Sequence, residues 1–167
     1  MSRAVPASVA CLVLAAGVAA AHPHFNKTVT AKLPSGVDAT VTYNTTPANE
    51  IRAQQAAVGA FVTPRRPMLK LSAEVKAGAV TIPAGDYTIG VIKNSEKDWT
   101  MALYPGAAPQ GAAVDVAKTI KLESEFSTTH GTAEHMLIDI GPGDGKMTGR
   151  AVLTVHFGSL YLAGAIS

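Results

Sequence analysis

The residues best suited to chemistry stand near the start of the chain, in the run His22-Pro23-His24-Phe25. What precedes them gives them their interest. Arg3 opens a short basic segment, Val9 to Val18 is apolar, and Ala19-Ala20-Ala21 has the small-residue pattern of an export cleavage site. Residues 1–21 therefore read as a signal peptide, and cleavage there makes His22 a new N-terminus. An α-amine and an imidazole on one residue can chelate copper together. One more imidazole completes the T-shaped, all-nitrogen arrangement known as a histidine brace. Such donors suit Cu(II), which tops the divalent affinity series. Pro23 lacks the amide N–H that the other amino-terminal copper motif deprotonates, so His24 cannot act in that way. The competing reading is that His22 only marks where the signal ends and the first residues are frayed.

His130, His135 and His156 form a second group. A turn at Gly141 to Lys146 with Ile140 opposite Met147 sets His135 opposite Val152 and Gly131 opposite His156. His156 then lies beside His130 on an outer sheet face, where imidazoles near Glu134 or Asp139 can take Zn(II) or Cu(II). Surface histidines beside a loop are the alternative. The candidate metal ligands are thus His22, His24, His130 and His156, with copper as the cofactor in that reading. His156 is preferred to His24 as third brace ligand, because His-Pro-His would have to fold back on itself.

Other chemistries find less support. Met68, Met101, Met136 and Met147 are spaced as strand-core residues rather than as thioether ligands. A Gly-x-Ser-x-Gly elbow is absent. Ile140 stands where a phosphate-binding loop needs its first glycine. Glu123 and Glu125 share one strand face, most simply a solvated one.

Composition bounds the class. The apolar run is too short to span a membrane comfortably, so removal of the signal leaves no integral membrane segment. With 167 residues, loss of 21 leaves 146, the size of one domain with a substantial core. The single cysteine, Cys11, falls inside the signal, so residues 22–167 have no disulfide and no thiol ligand. Fourteen Lys and Arg less Arg3 leave 13 against 12 acidic residues, too balanced for a nucleic-acid footprint. Arg65-Arg66, between Pro64 and Pro67, reads as a solvated loop.

The elements that must position any site are strands. Tyr87, Ile89 and Val91 alternate with Asp86, Thr88 and Gly90, and Trp99, Met101 and Leu103 alternate in a return strand after the turn Asn94 to Lys97. Tyr87 and Trp99 are the expected core anchors. Phe25 to Leu33 and Val37 to Tyr43 form a hairpin around Pro34-Ser35-Gly36. Ala48 to Ala60 has helix-friendly composition without an apolar stripe, so it reads as a short surface helix or ordered loop. Met68 to Val75 is a further strand, Pro105 to Ala113 a loop, and Ile120 to Phe126 one edge strand with a charged outer face. Strands then follow around Met136 to Ile140, Leu153 to Phe157 and Leu160 to Ala165.

At the central hairpin the sequence resembles a bacterial family, domain of unknown function 2911. The resemblance rests on Ile82-Pro83-Ala84-Gly85-x-Tyr87 followed by Trp99-Thr100, on Val41-x-Tyr43, and on a closing strand ending Phe157-Gly158. It runs from about Thr28 to Leu160 and implies a secreted β-sandwich, with no activity attached. The family's Trp-rich middle segment is missing from Ile51 to Pro67, and only Asn49-Glu50 matches its Gly-Ala-Asn-Glu run.

The expected fold is all-β, a single antiparallel β-sandwich of about nine short strands with at most one short helix. The expected function is that of an exported module, periplasmic or extracellular, which binds a small ligand or a protein without transforming it. The rival is a copper protein, carrier or oxidase, built on His22.

Overall fold

The computed structural model describes residues 24–110 and 112–167; the signal reading of residues 1–21, with Cys11, and the copper reading of His22 fall outside the described residues. Two antiparallel sheets share one apolar core. The first runs in the order β1 (Asn26–Lys32), β2 (Asp38–Asn44), β4 (Met68–Leu71), β7 (Gly85–Ser95), β8 (Asp98–Pro105), β9 (Ile120–Lys121). A two-residue β3 (Phe61–Val62) pairs with β7 beyond the end of β4. The second sheet runs β10 (Ser124–Ser127), β13 (Leu160–Ala165), β12 (Ala151–Gly158), β11 (Ala133–Pro142). A separate hairpin of β5 (Val75–Ala77) and β6 (Val80–Ile82) buries Val75, Ala77 and Ile82 at one end of the sandwich. The α-helix among the described residues is α1 (Glu50–Gln54), which buries none of its residues.

Alternation explains most of these strands. Val41 and Tyr43 are buried while Thr42 between them is exposed. Trp99, Met101 and Leu103 point into the core opposite Lys93, Val91 and Ile89. Met136, Ile138 and Ile140 do the same on β11. A period of two is what one buried sheet face requires. Tyr87, a core anchor, donates its hydroxyl to Pro83 O at 2.7 Å, which locks the Pro-Ala-Gly corner that starts β7.

Five expectations change. The strand from Met68 stops at Leu71, and the chain breaks at Ser72 before restarting as β5. Ile120 to Phe126 is not one edge strand. Leu122 N bonds Met101 O in the first sheet, whereas Glu123 O accepts from Ala165 N in the second, each at 2.9 Å, so the chain changes sheets between them. Thr88 and Gly90 are buried rather than outward-facing. The loop after β8 folds over Thr88, whose hydroxyl donates to Gly106 O and accepts from Ala108 N, both at 2.8 Å. Finally, Ile140 pairs with Leu153 and His156 with Leu137, not Met147 and Gly131, and Val152 faces Gly141 rather than His135. The connection is longer than a tight turn because Gly145–Met147 winds into a 3-10 turn. These breaks also raise the count to thirteen strands among the described residues.

Both lateral edges are stitched. The Leu122–Glu123 crossing ties one side. On the other, Met136 N bonds Thr46 O at 2.8 Å and Ala48 N bonds Glu134 O at 2.9 Å. The sandwich is held at both sides without closing into a barrel. Along β12, Gly78 lies against Arg150 at the β5–β6 end, and Glu50 lies against Gly158 at the opposite end.

Candidate functional site

That opposite end carries the largest concavity described, a groove of about 960 Å³. It is lined by the end of β3 with Thr63, Pro64 and Arg65, by α1 through Asn49, Arg52 and Ala53, and by the loop after β8 through Pro109 and Val114. Phe157 and His24 also line it. The lining holds two arginines and a histidine and no carboxylate. Glu50, the nearest acid on α1, is turned away to accept from Ser159 N. The Arg52 and Arg65 side chains have no acceptor of their own among the described residues. Two uncompensated guanidiniums over a concave surface give it a positive potential that favours an anion.

Ala53, Val62, Pro64 and Phe157 also line a second, smaller space that runs inward between the sheets. This slot measures about 50 Å³, room for a few water-sized groups. Its remaining walls are apolar, with Ile89, Gly90, Val91 and Trp99 from the first sheet and Phe126, Val155, Leu160 and Leu162 from the second. Gly90 is needed there. A Cβ at this position would come 2.6 Å from edge carbons of Phe61, so only glycine lets that ring lie flat on β7. Trp99, 4% exposed, forms part of the inner wall, and the Lys93 ammonium sits 5.8 Å from its ring centroid.

The strap of residues 48–60 reaches the slot through Ala53 and is pinned largely by polar contacts. Ala48 N bonds Glu134 O, the Glu50 carboxylate meets Ser159 N, Gly59 N bonds Lys93 O, and the Lys93 ammonium donates to Gln54 O. Lys93 itself is 2% exposed and is completed by Glu96 Oε1 at 2.7 Å. Asn49 caps α1 through Arg52 N at 2.9 Å, which sets the direction of the Arg52 turn. Ile51 and Val58 on the strap remain 74% and 64% exposed.

The histidines divide between two faces. His24 lines the groove, its Nδ1 3.0 Å from Thr45 O. Phe157 lines the same groove, and strand alternation turns its neighbour in the chain, His156, to the outer face of the second sheet. There the His130 ring stacks on Tyr161 at 4.0 Å and the His156 ring meets Tyr161 edge-on at 5.6 Å. His156 Nε2 lies 3.4 Å from Gly131 O, so His130 and His156 do converge, although through the loop before β11 and not through the expected pairing. His135 stands apart from them, bridged to Pro47. Tyr161 lines an outer groove of about 410 Å³ with Glu125, Asp139 and Asp144. Burial first, then the Asp144 and Glu125 carboxylates, hold its phenol above the ordinary tyrosine range. Among the described residues no three His, Cys, Asp or Glu are grouped so as to hold a metal ion. Met101, Met136 and Met147 are buried as packing residues.

Comparison with protein-family models, curated proteins and solved structures finds no match to this chain. The groove therefore stands on its own chemistry. Sequence reasoning passed over Arg52 and Arg65, because only folding brings the strap, the end of β3 and the loop after β8 to one opening. The Pro64-Arg65-Arg66-Pro67 run was the one local signal, and it reads equally well as a solvated loop. In the structure it is a tight turn with both arginines at positive φ, 56° and 47°.

Proposed function

We propose that this protein is a non-enzymatic binding module for a small amphipathic anion. The observation that carries the reading is the continuity of a carboxylate-free, arginine-rimmed groove with an apolar slot that ends at Trp99. An oxyanion at the rim meets Arg52 and Arg65, and the apolar part of the same molecule enters under the strap. Burial in the slot contributes roughly 25 cal/mol per Å² of apolar surface removed from water, and the rim supplies orientation and charge selectivity. Trp99, the single tryptophan, makes the test direct. Its emission should change on titration with octanoate, and octylamine of equal chain length should bind more weakly. Equal binding of the amine and the carboxylate would refute the reading. We further propose that the module is exported after removal of residues 1–21, which intact-mass measurement of the cell-derived protein checks.

A second reading keeps copper at the N-terminus. His24, the described residue nearest to His22 in the chain, lines the groove. The brace would combine the His22 amine and ring with one more imidazole, His24 being nearer in the chain and His156 on the outer face. Cu(II) titration of the natively processed protein and of His22→Ala decides it; unchanged affinity in the variant removes the brace.

Kinship with the domain of unknown function 2911 family is likewise a proposal. Its support is that residues of the resembling stretches make specific local contacts. Asn49 caps α1, Glu50 reaches the Phe157-Gly158-Ser159 turn, and Tyr87 closes the Pro83-Ala84-Gly85 corner. A solved member in which the Asn-Glu pair does not dock on the aromatic-glycine turn would count against it.

A further inference from the structure

We infer that Arg65 is the residue that grips the ligand's oxyanion, and that the backbone turn carrying it is held in an unfavourable conformation for that purpose; the inference rests on the groove being a site for an amphipathic anion. Arg65 and Arg66 both adopt positive φ, 56° and 47°, a region that residues with a side chain rarely enter and that glycine or asparagine enters readily. Two successive residues of this kind make a turn for which Asn-Gly is the low-energy choice. Here neither position is glycine or asparagine. The surroundings hold the turn in place. Thr63 Oγ1 donates to Ile89 O and Ile89 N donates to Pro67 O, each at 2.8 Å, so both ends are clamped to β7. Pro64 and Pro67 restrict the chain on either side.

The two side chains have different fates. Arg66 Nη1 donates to Ala108 O at 3.3 Å and so fixes the loop whose later residues also line the groove. Arg65 is exposed, lines the groove, and has neither hydrogen bond nor ion pair among the described residues. A strained backbone that the fold actively maintains, and that ends in a guanidinium without a protein partner over a cavity, is the signature of a site kept for function at a cost in stability. The planar fork of arginine fits the two oxygens of a carboxylate or a phosphate side by side. Arg52, on the last turn of an exposed helix, adds charge without that constraint.

Wild type, Arg65→Gly and Arg65→Lys are to be titrated with octanoate and with octyl phosphate while Trp99 emission is followed, and each is to be melted without ligand. Arg65→Gly should bind both anions about tenfold more weakly or worse, the scale of one charge-assisted hydrogen bond. The same substitution should raise Tm by roughly 3 °C, because glycine relieves the turn. Arg65→Lys keeps the charge but not the fork and should recover only part of the affinity, without the gain in Tm. The tighter of the two wild-type anions identifies the head group. Wild-type affinity in Arg65→Gly overturns the inference and leaves the groove reading standing. A fall in its Tm overturns the strain argument and the inference with it. Failure of the wild type to bind either anion overturns both.

Discussion

Replacing Gly158 by alanine tests how the strap is attached to the sandwich. Gly158 has φ 67°, and a Cβ there would overlap the Glu50 carboxylate that accepts from Ser159 N. The substitution acts twice. Forcing alanine into the left-handed region costs about 1–2 kcal/mol. Ejecting Glu50 forfeits a hydrogen bond to a charged group, about 1.5–3 kcal/mol. The sum for Gly158→Ala is then about 2.5–5 kcal/mol, whereas Glu50→Ala alone loses only the hydrogen bond, about 1.5–3 kcal/mol. In the double variant nothing remains for the new methyl to displace, so its total should equal that of Gly158→Ala. The coupling is therefore expected at about 1.5–3 kcal/mol, well above the scatter of about 0.5 kcal/mol seen for independent sites. Urea unfolding of the wild type and the three variants measures it, provided the m-value stays constant. Additive effects would mean that Glu50 is not seated on the Gly158–Ser159 turn, and the polar attachment of the strap would fall with it.

Trp99→Ala should destabilise by about 3–5 kcal/mol in urea melts, the range for truncating a buried large aromatic; a loss below about 1 kcal/mol would place the ring outside the core. Lys93 is 2% exposed with its ammonium on Gln54 O and Glu96, so Lys93→Ala should cost about 2–4 kcal/mol through lost volume and an orphaned carbonyl. Lys93→Met restores the volume but orphans the Gln54 carbonyl just as alanine does, so it should lose about 1–3 kcal/mol, less than Lys93→Ala, in the same melts; equal losses for the two would contradict this. Burial raises the Tyr87 phenol, and burial with Asp144 and Glu125 raises that of Tyr161. A raised pKa means that the folded state holds the proton more tightly, so this contribution is intact below the ordinary value near 10 and is lost as pH rises through the folded values. Stability should fall above about pH 10, less steeply in Tyr161→Phe, as melts at stepped pH would show.

Much of the fold was written locally. The alternation in Val41 and Tyr43, in Trp99, Met101 and Leu103, and in Met136, Ile138 and Ile140 appears as buried sheet faces, because a strand turns every second side chain the same way wherever its partner lies. The absence of an apolar stripe in Ala48 to Ala60 likewise matches a helix that buries nothing. Partner choice is another matter. Ile120, Leu122 and Phe126 alternate as one strand would, yet Leu122 and Glu123 bond opposite sheets, since alternation names a face and not a neighbour. The hairpin register moved because the loop before β12 winds into a 3-10 turn, and Thr88 became buried because a loop beyond the next strand folded over it. The groove is the extreme case. His24, Arg52, Arg65 and Phe157 carry no mutual spacing in the chain, and only the stitching of the strap to both sheets brings them to one opening. Strand character is set by the order of side chains along the backbone; the site was decided by contacts between segments far apart in sequence, which no local pattern encodes.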